Sequence, residues 1–197
     1  MRTRGAAILL LFLILLIPSG VRAQMNLFGE HNPLASYWNN VARAAAQGDT
    51  AEVESLIAAG NSPDETDARG QTALHIAAEK GNLAMAKILL KAGAALDPKD
   101  MFGNTPLDVA ARNGQTAIAK LLLSAGAEVD PVNNAGMTPL MIAARAGHLA
   151  IVTLLLQKGA NIKATDYTGR NALSWARDSH RRAVVEALLR ALKGKTS

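Results

Sequence analysis

The stretch "DMFGNTPLDVAARNGQ", Asp100 to Gln115, holds the two signals that decide how this chain is read. Its second half reads as a helix of small residues. A Thr105 hydroxyl can cap free amide groups at the entrance, and Pro106 sits where its missing N–H costs nothing. Gly114 then ends the helix, since glycine accepts the left-handed backbone found there. The first half reads as a tight turn, yet it puts Met101 and Phe102 directly before Gly103. Turn tips are normally polar, so the helix belongs to the framework and the apolar pair needs a separate reason.

The punctuation recurs. Gly48, Gly81, Gly114 and Gly147 are 33 residues apart, as are Gly60, Gly93, Gly126 and Gly159, and Gly70, Gly103, Gly136 and Gly169. Twelve of the sixteen glycines thus fall into three registers of one period, the signature of a stacked repeat. Asp67, Asp100, Asn133 and Asp166 open the units. Thr72, Thr105 and Thr138, with Asn171 in the last unit, stand at the helix entrances. Leu74, Leu107, Leu140 and Leu173 recur, as do Ala77, Ala110, Ala143 and Ala176, and Leu pairs at 89–90, 122–123, 155–156 and 188–189 close the units. Each unit has an apolar face that it cannot bury alone, so the core must come from stacking.

The segments "DARGQTALHIAAEKGN", "DMFGNTPLDVAARNGQ", "NNAGMTPLMIAARAGH" and "DYTGRNALSWARDSHR" resemble ankyrin repeats. The resemblance covers Asp67 to Leu192, and a degenerate first unit fits Leu34 to Thr66. It implies an all-α solenoid of about five stacked helix–turn–helix units with short β-turn or hairpin tips. The expected boundaries are a capping repeat at 34–66, repeats at 67–99, 100–132 and 133–165, a C-terminal capping repeat at 166–192 and a tail at 193–197. Both end units differ as caps should. The first has Glu52 and Glu54 on its second helix. The last has His180 where the inter-helix glycine would stand, is flanked by Arg177, Asp178, Arg181, Arg182, Glu186 and Arg190, and carries Trp175, expected to seal the end of the stack.

The N-terminus has a different logic. Arg2 and Arg4 precede an uninterrupted apolar run, Ala6 to Ile17, and Pro18, Ser19 and Gly20 break it before "VRA". That order is a secretory signal, 1–23, cleaved between Ala23 and Gln24. Twelve apolar residues rise only about 18 Å as a helix, short of the roughly 30 Å hydrocarbon core, which argues against an anchor. Residues 24–33 then form an arm without periodicity. The whole chain has 21 Lys+Arg against 16 Asp+Glu; losing Arg2, Arg4 and Arg22 leaves 18 against 16, a net +2. The chain therefore offers little general attraction for nucleic acid, or for membrane once the leader is gone. With no cysteine it has neither disulfides nor thiolate metal sites. These readings place the protein in a bacterial periplasm, with secretion as the second choice.

Sites for chemistry are sparse. His75 fills the position where the resemblance implies a hydrogen bond between turns, and Asp108, Met141 and Ser174 replace it in later units. His148 also stands where the family commonly has histidine. No two histidines have helical ligand spacing, and no phosphate loop or GxSxG elbow is present, so no metal, cofactor or catalytic set is assigned. Two rivals stay open: a hydrolase assembled on the scaffold, and a membrane-tethered structural module that keeps its leader.

Binding suits the architecture better. The resemblance implies that the two residues after the opening Asp, the residue after the turn glycine and two near the end of the first helix vary on one face. On this chain they supply Arg69, Met101, Phe102, Asn104, Arg112, Met137, Arg145, Tyr167 and Arg170 as the partner-binding set. Aromatic, Met and Arg side chains are the types enriched in interface cores and hot spots. Arg112 is also placed to pair with Glu79 of the preceding unit, for about 0–1 kcal/mol. The sequence reading is thus a monomeric, non-enzymatic module binding another protein through its tips and inner helices.

Overall fold

The computed structural model describes residues 41–194, and there the helices follow one another in pairs. They are α1 (Val41–Gln47) and α2 (Thr50–Ala58), α3 (Ala73–Lys80) and α4 (Leu83–Lys91), α5 (Pro106–Asn113) and α6 (Thr116–Ala125), α7 (Pro139–Ala146) and α8 (Leu149–Gln157), α9 (Ala172–Asp178) and α10 (Arg182–Gly194). The leader, its Ala23–Gln24 junction, the 24–33 arm and the start of the first unit lie outside the described residues. No strand forms among the described residues; the tips are turns, with a single antiparallel bridge between Thr66 and Thr72. The last helix runs on to Gly194, past the expected boundary at Leu192.

Each tip is closed by one side-chain oxygen. Oδ1 of Asp67, Asp100, Asn133 and Asp166 accepts the amides two and four residues on, at 2.7–3.0 Å. This is why the four later units open with Asp or Asn: a short acceptor there mimics a backbone turn. Helix entrances follow. Thr105 Oγ1 accepts from Asp108 N, Thr138 Oγ1 from Met141 N and Asn171 Oδ1 from Ser174 N, so asparagine replaces threonine without loss of the cap.

Stacking then makes the core. The first helices α1, α3, α5, α7 and α9 pack in sequence, and the second helices form a layer behind them. Ala77, Ala110, Ala143 and Ala176 are wholly buried between the first helices, where any larger side chain would push them apart. Leu89, Leu122, Leu155 and Leu188 are wholly buried from the second layer. Burying a leucine stabilises by about 1.5–3 kcal/mol, so this ladder holds the two layers together. Gly114 shows why the helix-ending residue must be glycine: its φ is +73°, and a Cβ would lie 2.7 Å from Cε1 of the His148 ring.

Hydrogen bonds join unit to unit at both edges of the stack. At the tips, Met101 N donates to Arg69 O, Asn134 N to Phe102 O and Tyr167 N to Ala135 O, at 2.9, 3.0 and 3.3 Å. At the far edge, Asp64 accepts from Ala95 N, Asp97 from Glu128 N and Asp130 from Asn161 N. These aspartates share the 33-residue period, and Lys163 takes the next place. Along α10, Val184 and Leu188 point inward while Arg182, Glu186 and Arg190 are exposed, as a capping helix requires. His180, standing where glycine is usual, is held at φ +55°, the one non-glycine residue with positive φ among those described.

Candidate functional site

The expected partner-binding set divides in three. Phe102, Asn104, Arg112, Met137 and Arg145 converge on one groove of about 400 Å³, together with Asn133, Asn134, Ala135 and Ile142. Met101 and Tyr167 stand outside the groove on the tips, 58% and 75% exposed. Tyr167 lies against Gly136, where a Cβ would be 2.7 Å from its ring. Arg69 and Arg170 sit at the two ends, tied into local ion pairs with Asp67 and Asp178, each at 3.4 Å.

Two of these residues are not the free surface that the sequence implied. Asn104 is 2% exposed and Met137 6%. The residue after the turn glycine is covered wherever another tip follows; Arg170, with none after it among the described residues, is exposed. Met137 therefore forms groove floor rather than rim. Asn104 serves as a junction: its Nδ2 donates to both oxygens of Asp100, and its Oδ1 accepts from Asn133 Nδ2 at 3.0 Å and Arg112 Nη2 at 2.8 Å. The pairing of Arg112 with Glu79 does not form; the side chain folds back onto its own tip.

Trp175 does more than the sealing expected of it. It is half-buried, its Nε1 donates to Asp166 Oδ2 at 2.9 Å, and the guanidiniums of Arg170 and Arg145 lie over its ring at 4.5 and 5.3 Å. It is an arginine platform as much as an end seal. Burial alone would raise the Asp166 carboxyl, but hydrogen bonds from Thr168, the Arg170 amide and Trp175 outweigh it and hold the group below its ordinary value. Nothing in the sequence period marks this cluster, because it exists only in the last unit.

The polar groups buried beneath the face are structural. His75 Nδ1 accepts from Thr72 N at 3.1 Å and meets Thr72 Oγ1 at 3.0 Å, so Nε2 carries the proton and donates to Asn104 O, 3.0 Å away in the next tip. Desolvation lowers its pKa, keeping the ring neutral and the staple intact. His148 plays a similar part, its Nε2 3.0 Å from Arg112 O. Asp108 occupies His75's place in the next unit with a shorter side chain. One oxygen takes both Thr105 donors and the other, buried, has no partner. Burial pushes this carboxyl up to about 7, against hydrogen bonds from Thr105 and the nearby Arg112 charge. Among the described residues no group of histidines and carboxylates is arranged to hold a metal, and no helix is long and apolar enough to cross a membrane.

The groove itself is lined by apolar, amide and guanidinium side chains, with no carboxylate, imidazole or hydroxyl. Such a lining positions and holds; it offers no nucleophile or general base. No curated protein matches the chain at a significant level. The sequence model of the family described as Ankyrin repeats (3 copies) matches residues 41–133 and again residues 125–196. That span takes in every helix pair described above, and the chain belongs to the ankyrin-repeat family, whose members are in general protein–protein interaction modules.

Proposed function

We propose that this protein is an exported, non-enzymatic binding module that engages another protein through its tips and the groove behind them. In this reading the leader is removed after Ala23 and the mature chain works in the periplasm, where it inhibits, protects or scaffolds an envelope protein. The observation that carries the reading is the exposure of Met101, Phe102 and Tyr167 on tips that are otherwise rigidly hydrogen-bonded. The backbone there is satisfied without them, and more than half of each side chain stays open to solvent. Apolar groups gathered at exposed sites beside arginines mark contact surfaces.

The test compares affinity capture by the wild-type chain and by Phe102→Glu/Tyr167→Glu, both folded by circular dichroism. A protein retained by the first and lost by the second supports the reading. Equal retention of every captured protein by both contradicts it. Export is tested separately: the N-terminus of the protein recovered from the periplasmic fraction begins at Gln24, whereas one beginning at Met1 means the leader stays.

A further inference from the structure

The chemistry of the bound segment can be read from how Arg112 and Arg145 are held. We propose that the groove takes an acidic stretch of the partner, an Asp or Glu carboxylate lying between Arg112 and Arg145 and a neighbouring apolar side chain resting against Phe102 and Met137. This deepens the protein-binding reading above and rests on it.

From α3 to α9, one position near the end of the first helix runs Glu79, Arg112, Arg145, Asp178. The order places two cations side by side with an acid at either end, and simple pairing would neutralise all four. That is not what forms. Asp178 is taken by Arg170 at 3.4 Å, and neither Arg112 nor Arg145 belongs to an ion pair among the described residues. Each is fixed instead by a neutral group: Arg112 by the Asn104 amide oxygen at 2.8 Å, Arg145 by the face of Trp175 at 5.3 Å.

Neutral partners set direction; Arg112 also feels the charge of buried Asp108, but forms no ion pair with it. Asn104 is itself immobilised by Asp100 and Asn133, so Arg112 is aimed by a buried junction. A guanidinium already oriented loses little further freedom when it takes a carboxylate, and the bond it then makes is charge-assisted. Asn104 and Trp175 are thus positioning residues. The floor decides the class of anion. A bare phosphate or a nucleic-acid backbone gains nothing from Phe102, Met137 and Ile142, whereas a peptide satisfies cations and floor together.

The experiment selects random 12-residue peptides displayed on phage against the full chain and measures synthetic copies by fluorescence polarisation. Enriched peptides are expected to place Asp or Glu beside Leu, Ile, Met or Phe. Arg112→Gln and Arg145→Gln, both on exposed side chains, each weaken the tightest peptide about tenfold. Replacing the peptide's acid by its amide gives the same loss on the wild-type chain, a readout needing no protein variant, and gives no further loss on Arg112→Gln/Arg145→Gln. Asn104→Ala weakens the acidic peptide more than its amide form, whereas a merely structural role would weaken both alike. Peptides without acidic bias that are still lost on Phe102→Glu overturn the carboxylate proposal and leave the binding face standing. Peptides indifferent to Phe102→Glu overturn both. A mixed-sequence 20-nucleotide single strand bound as tightly, and lost with the same two arginines, reassigns the groove to polyanions.

Discussion

Asp108 makes the framework's stability depend on pH in a direction opposite to most carboxylates. Its carboxyl is raised from 3.8 to about 7 in the folded chain, with burial as the leading cause and one oxygen left without a partner. Between those two values the folded protein holds a proton that the unfolded chain has released. Its contribution is therefore fully present below pH 3.8 and is lost as pH rises through about 7. At about 1.4 kcal/mol per pH unit the whole loss is about 4 kcal/mol, of which about 3 kcal/mol falls between pH 5 and pH 8. Asp108→Asn removes the titration, keeps an oxygen for the Thr105 donors and replaces the orphaned acceptor by an amide. Urea denaturation followed by far-UV circular dichroism at pH 5, 6, 7 and 8 reads the difference directly. The variant should gain on the wild type by about 3 kcal/mol from pH 5 to pH 8, with m unchanged. His75 and Asp166 titrate in both proteins and cancel in the difference. Parallel pH profiles for the two chains would refute the reasoning.

Other substitutions probe the stack. Gly114→Ala should cost about 1 kcal/mol more than Gly93→Ala, because both sites have positive φ but only the first faces a His148 ring, and the excess should vanish in a His148→Ala background, as equilibrium denaturation would show. His180→Gly relieves a left-handed non-glycine residue and should stabilise by about 0.5–1 kcal/mol; a lower melting temperature would count against strain at that position. Leu122→Ala removes a wholly buried side chain between the two layers and should cost about 2–5 kcal/mol, and a loss near zero would mean that the leucine ladder does not bear the core.

What the sequence made plain is what the backbone imposes on every unit. The glycines at 33-residue spacing must take positive φ, Thr105 and Thr138 must cap, and Ala110 must let neighbouring helices close together; each demand recurs, so each leaves a periodic mark. The aspartates at 64, 97 and 130 left the same mark and were legible in principle, as acceptors for the following loop. The face was less legible because its side chains choose partners in space. Register put Arg112 next to Glu79, yet its own tip offered Asn104 eight residues away. Position alone made Met137 look exposed, yet the following tip covers it. Trp175 read as an end seal, and only its ring geometry reveals two arginines above it.

The central claim is that the tips and groove meet a protein. A photo-crosslinking amino acid placed at Phe102, with Glu54 on the opposite layer as the control site, tests it in the producing cell. A discrete protein adduct is expected at 102, absent at 54 and lost when Arg112 and Arg145 are both changed to Gln. No adduct at 102, or the same adduct from both sites, would contradict it.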